Sequence, residues 1–374
     1  MKKNQDEFEF EVLDHTQKSS EALAFEQELS SLIIGQEAAV SAVGAIHQVY
    51  LSKLSPKNRP LGILLFLGPT GSGKTRTVEA AAEVIYGRSD VVIKIDCAEF
   101  QHSHEIAKLK GSPPGYLGHR ETSPMLTQEN LDKCHTERDK ITFVLFDEIE
   151  KANDALWNLL LGILDKATLT LGDNRRVDFS RCVVVMTSNL GAREMQQIVD
   201  TKLGFAPATQ QTLSDEKISK IAVDAARRKF SPEFMNRIDK VVAFKTLAAE
   251  AIEKILHIEL NDLQNRPDVD FAISVTQEAK QLILAQGIDP RENARRLKRV
   301  IEQLVVIPLA NLVGTAQARS GDEIVVDVNA QKTALIFKRR RKAVLAADTA
   351  ITGGDLLERV IDGSQSHQLA LVKR

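Results

Sequence analysis

The sequence predicts an α/β fold: a parallel sheet covered by helices on both faces, followed by a smaller helix-rich α+β domain. Two observations carry this. From about residue 30 to 245, continuous β-branched apolar runs alternate with stretches of helical periodicity, the pattern of strands buried on both faces. After Phe244 the texture changes to long amphipathic helices with short strands between them. A length of 374 residues is enough for two packed domains.

Residues 1–29 read as a polar N-terminal extension, an alternating stretch FEFEV and then an amphipathic helix, appended to the large domain. Residues 30–245 form that large domain. Its elements in order are a helix over QEAAVSAVGAIHQVYLSKL, a strand over GILLFLG, a glycine-rich turn, a helix over KTRTVEAAAEVIYG, and strands over VVIKID, FVLFDE and CVVVMTSN. A further helix opens at SPEFMNRID, with Ser231 as N-cap and Pro232 in the first turn, where a missing N–H is not needed. Residues 246–338 form the small domain. Here the pattern predicts helices over AAEAIEKILHIELNDLQNR, QEAKQLILAQG and RENARRLKRVIEQLVVIPLANLV, and strands over VDFAISV, DEIVVDV and TALIFK. Residues 339–374 are a basic, weakly periodic tail that reads as loosely held.

Composition and charge exclude several classes. A formal net charge of -2 gives no global pull toward nucleic acid. The three cysteines, Cys97, Cys134 and Cys182, fit neither a disulfide framework nor a CxxC ligand pattern, which points to a reducing, cytoplasmic compartment. The longest apolar runs are strand-sized, well short of the roughly 18 residues of a membrane span. The N-terminus turns acidic after two lysines and lacks the apolar core of a secretory signal.

The chemistry concentrates in three segments. GPTGSGKT at 68–75 fits G-x-x-x-x-G-K-T, comes after a strand and opens a helix. Gly68, Pro69, Thr70, Gly71, Ser72 and Gly73 make a loop whose backbone N–H groups curl around phosphate. Lys74 then reaches the β and γ phosphates of ATP, and Thr75 holds Mg²⁺. FVLFDE ends a buried strand in two carboxylates. Beside a phosphate loop, Asp147 binds Mg²⁺ through its water shell and Glu148 orients and deprotonates the attacking water, so the pair predicts hydrolysis. Asn189 ends the strand VVVMTSN and is expected to hydrogen-bond that water or the γ-phosphate; a strand-end turn is its plainer alternative. Tyr116 is oddly sited, in GSPPGYLGHR, a Gly/Pro run that cannot be regular helix or central strand.

Six segments now stand in order: GPTGSGKT, GSPPGYLG, FVLFDEIEKA, RRVDFSRCVVVMTSNLG, FSPEFMNRID and ARRLKR. Together they resemble the second ATPase module of the ClpB/ClpC family of AAA+ unfoldases, over about residues 30–338. The resemblance implies a P-loop AAA+ ATPase domain over 30–245 and an AAA+ small domain over 246–338. It also implies a homo-oligomeric ring, usually a hexamer, that draws protein substrates through a central pore. Tyr116 and Leu117 correspond to the pore loop that grips polypeptide. Arg237 aligns with the arginine finger that reaches a neighbour's γ-phosphate; a surface pair with Glu233 or Asp239 is the alternative. Arg295 aligns with the family's second sensor, although Asn293 stands where the family usually has glycine. Ile33 and Ile34 resemble the loop that packs on adenine, with core packing as the alternative. Leu203, Gly204 and Phe205 lie where relatives carry a loop that docks on a ClpP-like peptidase. KRRRK at 338–342 reads as a solvated boundary after the last strand. Two other functions stay open at this point: a nucleic-acid motor or loader, and a nucleotide-gated regulatory scaffold.

Overall fold

The computed structural model describes residues 13–113, 123–200, 208–267, 269–289 and 291–340. The large domain runs α1 (Ser20–Leu32), α2 (Glu37–Leu51), β1 (Gly62–Leu67), α3 (Lys74–Tyr86), β2 (Ile93–Asp96), α4 (Ala107–Lys110), α5 (Gln128–Asp132), β3 (Thr142–Asp147) and α6 (Asp154–Lys166). It continues through β4 (Thr168–Thr170), β5 (Arg176–Asp178), β6 (Cys182–Ser188), α7 (Ala192–Asp200), α8 (Ala208–Lys229), α9 (Pro232–Met235) and β7 (Lys240–Ala243). The small domain holds α10 (Ala249–Gln264), β8 (Ala272–Val275), α11 (Gln277–Gly287), α12 (Ala294–Ile301), α13 (Ile307–Gly314), β9 (Glu323–Val328) and β10 (Leu335–Arg340).

Five parallel strands form the main sheet in the order β2-β3-β6-β1-β7. Side chains alternate across it. Ile63, Leu65, Val144, Phe146 and Val184 face one core, packed with α6, while Leu64, Phe66, Phe143, Leu145 and Val183 face another, packed with α1, α2 and α3. Both faces are therefore dry, which is why these runs are continuously apolar and not alternating. The register pairs Leu67 of β1 with Ser188 of β6, and Phe146 of β3 with Met186 of β6. The carboxyl ends of the three central strands thus finish side by side, the usual mouth of a ligand site in a parallel sheet.

Several elements differ from the sequence expectation, each for a physical reason. Residues 20–29, read as part of an appended extension, belong to α1, which buries Ala22, Phe25 and Leu29 in the large-domain core. Ser19 caps this helix by accepting the Ala22 N–H at 3.2 Å, and its hydroxyl donates to Gln48 on α2 at 3.0 Å. The fifth strand, β7, and the β4-β5 hairpin are too short to stand out as periodic runs. α9 opens as the sequence predicts, with Ser231 accepting the Phe234 N–H and Pro232 in the first turn.

In the small domain, β9 pairs antiparallel with β10 and parallel with β8. The single helix expected over 291–313 is instead α12 and α13 joined by a π turn over Glu302–Val306. Pro308 lacks the N–H that the carbonyl four residues earlier would take, and its ring would press on that carbonyl; the wider turn relieves both. KRRRK is not wholly a boundary beyond the last strand. Lys338, Arg339 and Arg340 lie within β10 and pair with Asp327, Asp322 and Glu323 of the β9 segment. The FEFEV stretch and residues 341–374 lie outside the described residues.

Candidate nucleotide-binding site

A cleft of about 870 Å³ opens where the carboxyl ends of β1, β3 and β6 face the start of α12. Thr70 to Thr75 form its floor. Two glycines there take backbone angles that side chains resist, φ +74 at Gly71 and φ +102 at Gly73. A Cβ at Gly71 would collide with the Glu292 carbonyl, so the small domain presses directly on this loop. Among the described residues, a Cβ added at Gly73 would meet nothing within 4 Å, leaving open space over the start of α3. The first-turn N–H groups of α3 have no intrahelical acceptor and make a positive seat for an anion.

Lys74 is buried beneath this seat. Its ammonium donates to the Gly68 carbonyl at 2.8 Å, the Pro69 carbonyl at 2.9 Å and the Asn189 Oδ1 at 2.9 Å. Burial lowers its pKa to about 8, against the opposing pull of Asp147, Glu150 and Glu148.

The acids hang from the ends of the strands. Thr75 Oγ1 lies 3.3 and 3.4 Å from the two Asp147 carboxylate oxygens, a hydroxyl and a carboxylate suited to a hard divalent cation. Thr187, fully buried on β6, donates to Asp147 Oδ1 and accepts the Glu148 N–H at 3.1 Å. Glu148 has φ +55, a left-handed backbone that a non-glycine residue rarely adopts and that turns its side chain off the strand line. Asn189 bridges the two ends of the site: its Oδ1 accepts from Lys74, and its Nδ2 donates to Glu148 Oε1 at 3.1 Å. Glu150 in turn accepts the Asn189 N–H at 3.0 Å through Oε1, while its buried Oε2 has no hydrogen-bond partner among the described residues.

The remaining expected residues divide. Ile33 and Ile34 line the cleft, Ile33 buried in the large-domain core and Ile34 half-buried. Arg295 lines the opposite wall from an exposed position in the first turn of α12. Arg237 does not line the cleft. It pairs bidentately with Asp165 at the end of α6, at 2.6 and 3.2 Å, and not with Glu233 or Asp239; Asp239 is taken by Arg59 at 2.6 Å. Tyr116, Leu117, Leu203, Gly204 and Phe205 lie outside the described residues.

Three residues at the site carry no motif signal that marks them, Thr187, Glu150 and Gln36, and Asn293, marked in the sequence only as a departure from glycine, joins them. Thr187 and Glu150 sit beside recognised positions in VVVMTSN and FVLFDEIE, but only the parallel register of β3 and β6 brings Thr187 to the Asp147 carboxylate and Glu150 to the Asn189 N–H. Gln36 is buried, its Nε2 donating to the Ser72 carbonyl at 3.1 Å and the Lys245 carbonyl at 3.0 Å. The donor set as a whole fits a polyphosphate with a divalent cation: open space over Gly73, helix-start N–H groups, one buried ammonium, and a hydroxyl-carboxylate pair.

Comparison with known proteins agrees with this geometry. Residues 59–241 match the model of the AAA domain (Cdc48 subfamily), and residues 247–326 match the C-terminal D2-small domain of ClpB protein. The ATP-dependent Clp protease ATP-binding subunit ClpC of Staphylococcus saprophyticus is 37% identical over 311 residues, 83% of this chain. The ClpC of Staphylococcus aureus is 35% identical over the same length. The chain spans 37% of the length of these relatives. Among solved structures, Hsp104 with ATPγS and FITC casein in a closed state superposes with a TM-score of 0.69 at 29% identity, over 85% of this chain and 52% of that one. The extended Saccharomyces cerevisiae Hsp104:casein complex gives the same score over 86% and 53%. The chain belongs to the Clp-type AAA+ family, with an AAA domain followed by the small domain of a second ATPase module.

Proposed function

We propose that this chain is the ATP-hydrolysing module of a ring that remodels or unfolds protein substrates. The observation that carries the reading is the interlock of Lys74, Asn189 and Glu148 above the Thr75–Asp147 pair. Bound ATP and Mg²⁺ would supply the transferable γ-phosphoryl group and the neutralising charge. Thr75 and Asp147 hold the cation, Lys74 the β and γ phosphates, and Ile33 and Ile34 pack on the base. Glu148 takes the proton of the attacking water, and Asn189, bonded to both Glu148 and Lys74, keeps base and phosphate site in register. Arg295 approaches the phosphates from the small domain.

Arg237 is assigned to a neighbouring subunit's site, because it lies off its own cleft and half-exposed. Contact with Asp165 holds it until a neighbour offers a γ-phosphate, which ties hydrolysis to assembly; an arginine supplied in trans is worth about 10³-fold or more in rate. Tyr116 and Leu117 are assigned to the pore and the Leu203-Gly204-Phe205 segment to a ClpP-like peptidase. A hexamer working in the cytoplasm is the assembly proposed. The described residues contain no helix long and apolar enough to cross a membrane, and their three cysteines are unpaired.

The test is ATP turnover of the purified chain across a concentration series, alone and with unfolded casein, single-stranded DNA or RNA. Turnover per subunit should rise as rings assemble and rise again with unfolded protein, and Tyr116→Ala should abolish remodelling while leaving basal turnover. Stimulation by nucleic acid alone would move the assignment to a nucleic-acid motor. No turnover at any concentration would leave a nucleotide-gated scaffold.

A further inference from the structure

We propose that Asn293 is a positioning residue that latches the small domain to the phosphate loop, so that movement of α12 is carried to Thr70 and Gly71 through one buried amide. The inference rests on the reading of the cleft as a nucleotide site. Asn293 immediately precedes α12 and is 1% exposed. Its backbone sits at φ 50, ψ -134, a region that residues other than achiral glycine seldom occupy. Glycine would take that backbone without strain, so the asparagine side chain must return something for its presence.

What it returns is a bridge. Asn293 Oδ1 accepts the Leu247 N–H at 3.0 Å, and Nδ2 donates to the Thr70 carbonyl at 3.1 Å. Leu247 lies between β7 and α10, in the connection between the two domains, while Thr70 is in the phosphate loop. The next residue repeats the link, since the Ala294 N–H reaches the Gly71 carbonyl at 3.3 Å. Gly71 is so close that its Cα leaves no room for a side chain against Glu292, and an added Cβ would stand 3.1 Å from the Arg295 nitrogen.

Gln36 makes a second bridge of the same kind. Its Oε1 accepts the Lys245 N–H at 3.1 Å and its Nε2 donates to the Lys245 and Ser72 carbonyls. Two buried primary amides therefore tie alternate residues of the phosphate loop to the two ends of the short segment 245–247. Asn293 differs from Gln36 in coming from the small domain. A rotation of α12 must either carry Thr70 with it or break the hydrogen bond from the Asn293 amide to the Thr70 carbonyl, and Arg295, two residues on, moves with the same turn.

The test uses the full chain with three substitutions. Asn293→Gly removes both side-chain bonds and the strain; Asn293→Asp keeps the acceptor for Leu247 but sets a carboxylate oxygen against the Thr70 carbonyl. The readouts are hydrogen exchange at the Leu247 amide in nucleotide-free protein and ATPγS affinity by calorimetry. In Asn293→Gly the Leu247 amide should exchange about tenfold faster and ATPγS should bind about tenfold more weakly. Asn293→Asp should keep Leu247 protected yet lose the same affinity. Arg295→Ala should weaken binding less in the Asn293→Gly background than in the native chain, the sign of coupled positions. Native protection and native affinity in Asn293→Gly would overturn the latch, as would additive effects of Asn293→Gly and Arg295→Ala. A native chain that binds no ATPγS, with Leu247 still freed by Asn293→Gly, would overturn the nucleotide reading and support the latch.

Discussion

The two walls of the cleft are built in opposite ways. On the sheet wall, Asp147 and Asn189 stand at the ends of β3 and β6, strands buried along nearly their whole length, and Thr187, Glu150 and Lys74 bond them to one another. On the small-domain wall, Arg295 is exposed on a short helix that starts from a strained residue, and its neighbours Lys298 and Arg299 pair at the surface with Glu259 and Glu292. The groups proposed above for proton transfer, whose spacing such a step must keep, are on rigid, interlocked elements. On the small-domain wall α12 itself is anchored, with Leu297, Val300 and Ile301 in the small-domain core, and only its charged side chains, Arg295 among them, stand exposed at the cleft.

The sharpest way to test that contrast is at its chemical end. Glu148→Gln should lower ATP turnover by roughly 10² to 10⁴-fold while ATP binding persists, since the amide keeps the shape and loses the base. Arg295→Ala should act chiefly on ATP affinity, so that KM rises more than kcat falls; the two variants measured side by side in steady-state turnover separate the walls. A fall of kcat with unchanged KM for Arg295→Ala would erase the distinction.

Rigidity of the sheet wall can be broken one step back from the chemistry. Thr187→Val removes the hydroxyl that serves both Asp147 and the Glu148 N–H inside a fully buried strand. It should destabilise the large domain by about 1–3 kcal/mol in urea titration, with Thr187→Ser restoring most of the loss. A valine variant as stable as the native chain would mean that the interlock contributes little.

Charge at the floor of the cleft adds a pH dependence. Lys74 titrates near 8 in the nucleotide-free fold because burial outweighs its carboxylate neighbours. Polyphosphate favours the ammonium and raises that pKa, so binding takes up a proton above pH 8. Affinity for ATPγS should be flat from about pH 7 to 8 and then fall by up to about tenfold per pH unit above it. Calorimetry in buffers of different ionisation enthalpy measures the proton uptake directly, and a flat profile to about pH 9.5 would refute it. The smallest effect is expected on the other wall: Lys298→Ala, which removes an exposed pair with Glu259, should change stability by less than about 1 kcal/mol in thermal melts.

The sheet wall is also the more legible of the two in the sequence. GILLFLG, FVLFDE and VVVMTSN announce their strands by continuous apolar runs, GPTGSGKT and the strand-end acids announce their chemistry by residue type, and the structure brings them to one mouth. α1 reads as an appendage because its polar face is as prominent in sequence as its short apolar stripe; only packing on α2 reveals what it covers. The helix over 291–313 reads as continuous by periodicity, since a π turn keeps the apolar positions facing the core while absorbing Pro308. Arg237 is marked by its segment, yet its partner Asp165 lies 72 residues away and has no local signature.

Sequence alone determined the sheet, the phosphate loop and the acids, because each is a local matter of backbone freedom, strand periodicity or strand-end chemistry. Tertiary structure alone decided which polar groups meet across the strands and between the domains. Thr187 reaches Asp147 through a register, Asn293 reaches Thr70 across 223 residues, and Lys74 loses basicity through burial. None of these can be read from neighbours along the chain, since hydrogen-bond partners and desolvation depend on what folding brings within about 3 Å of an atom.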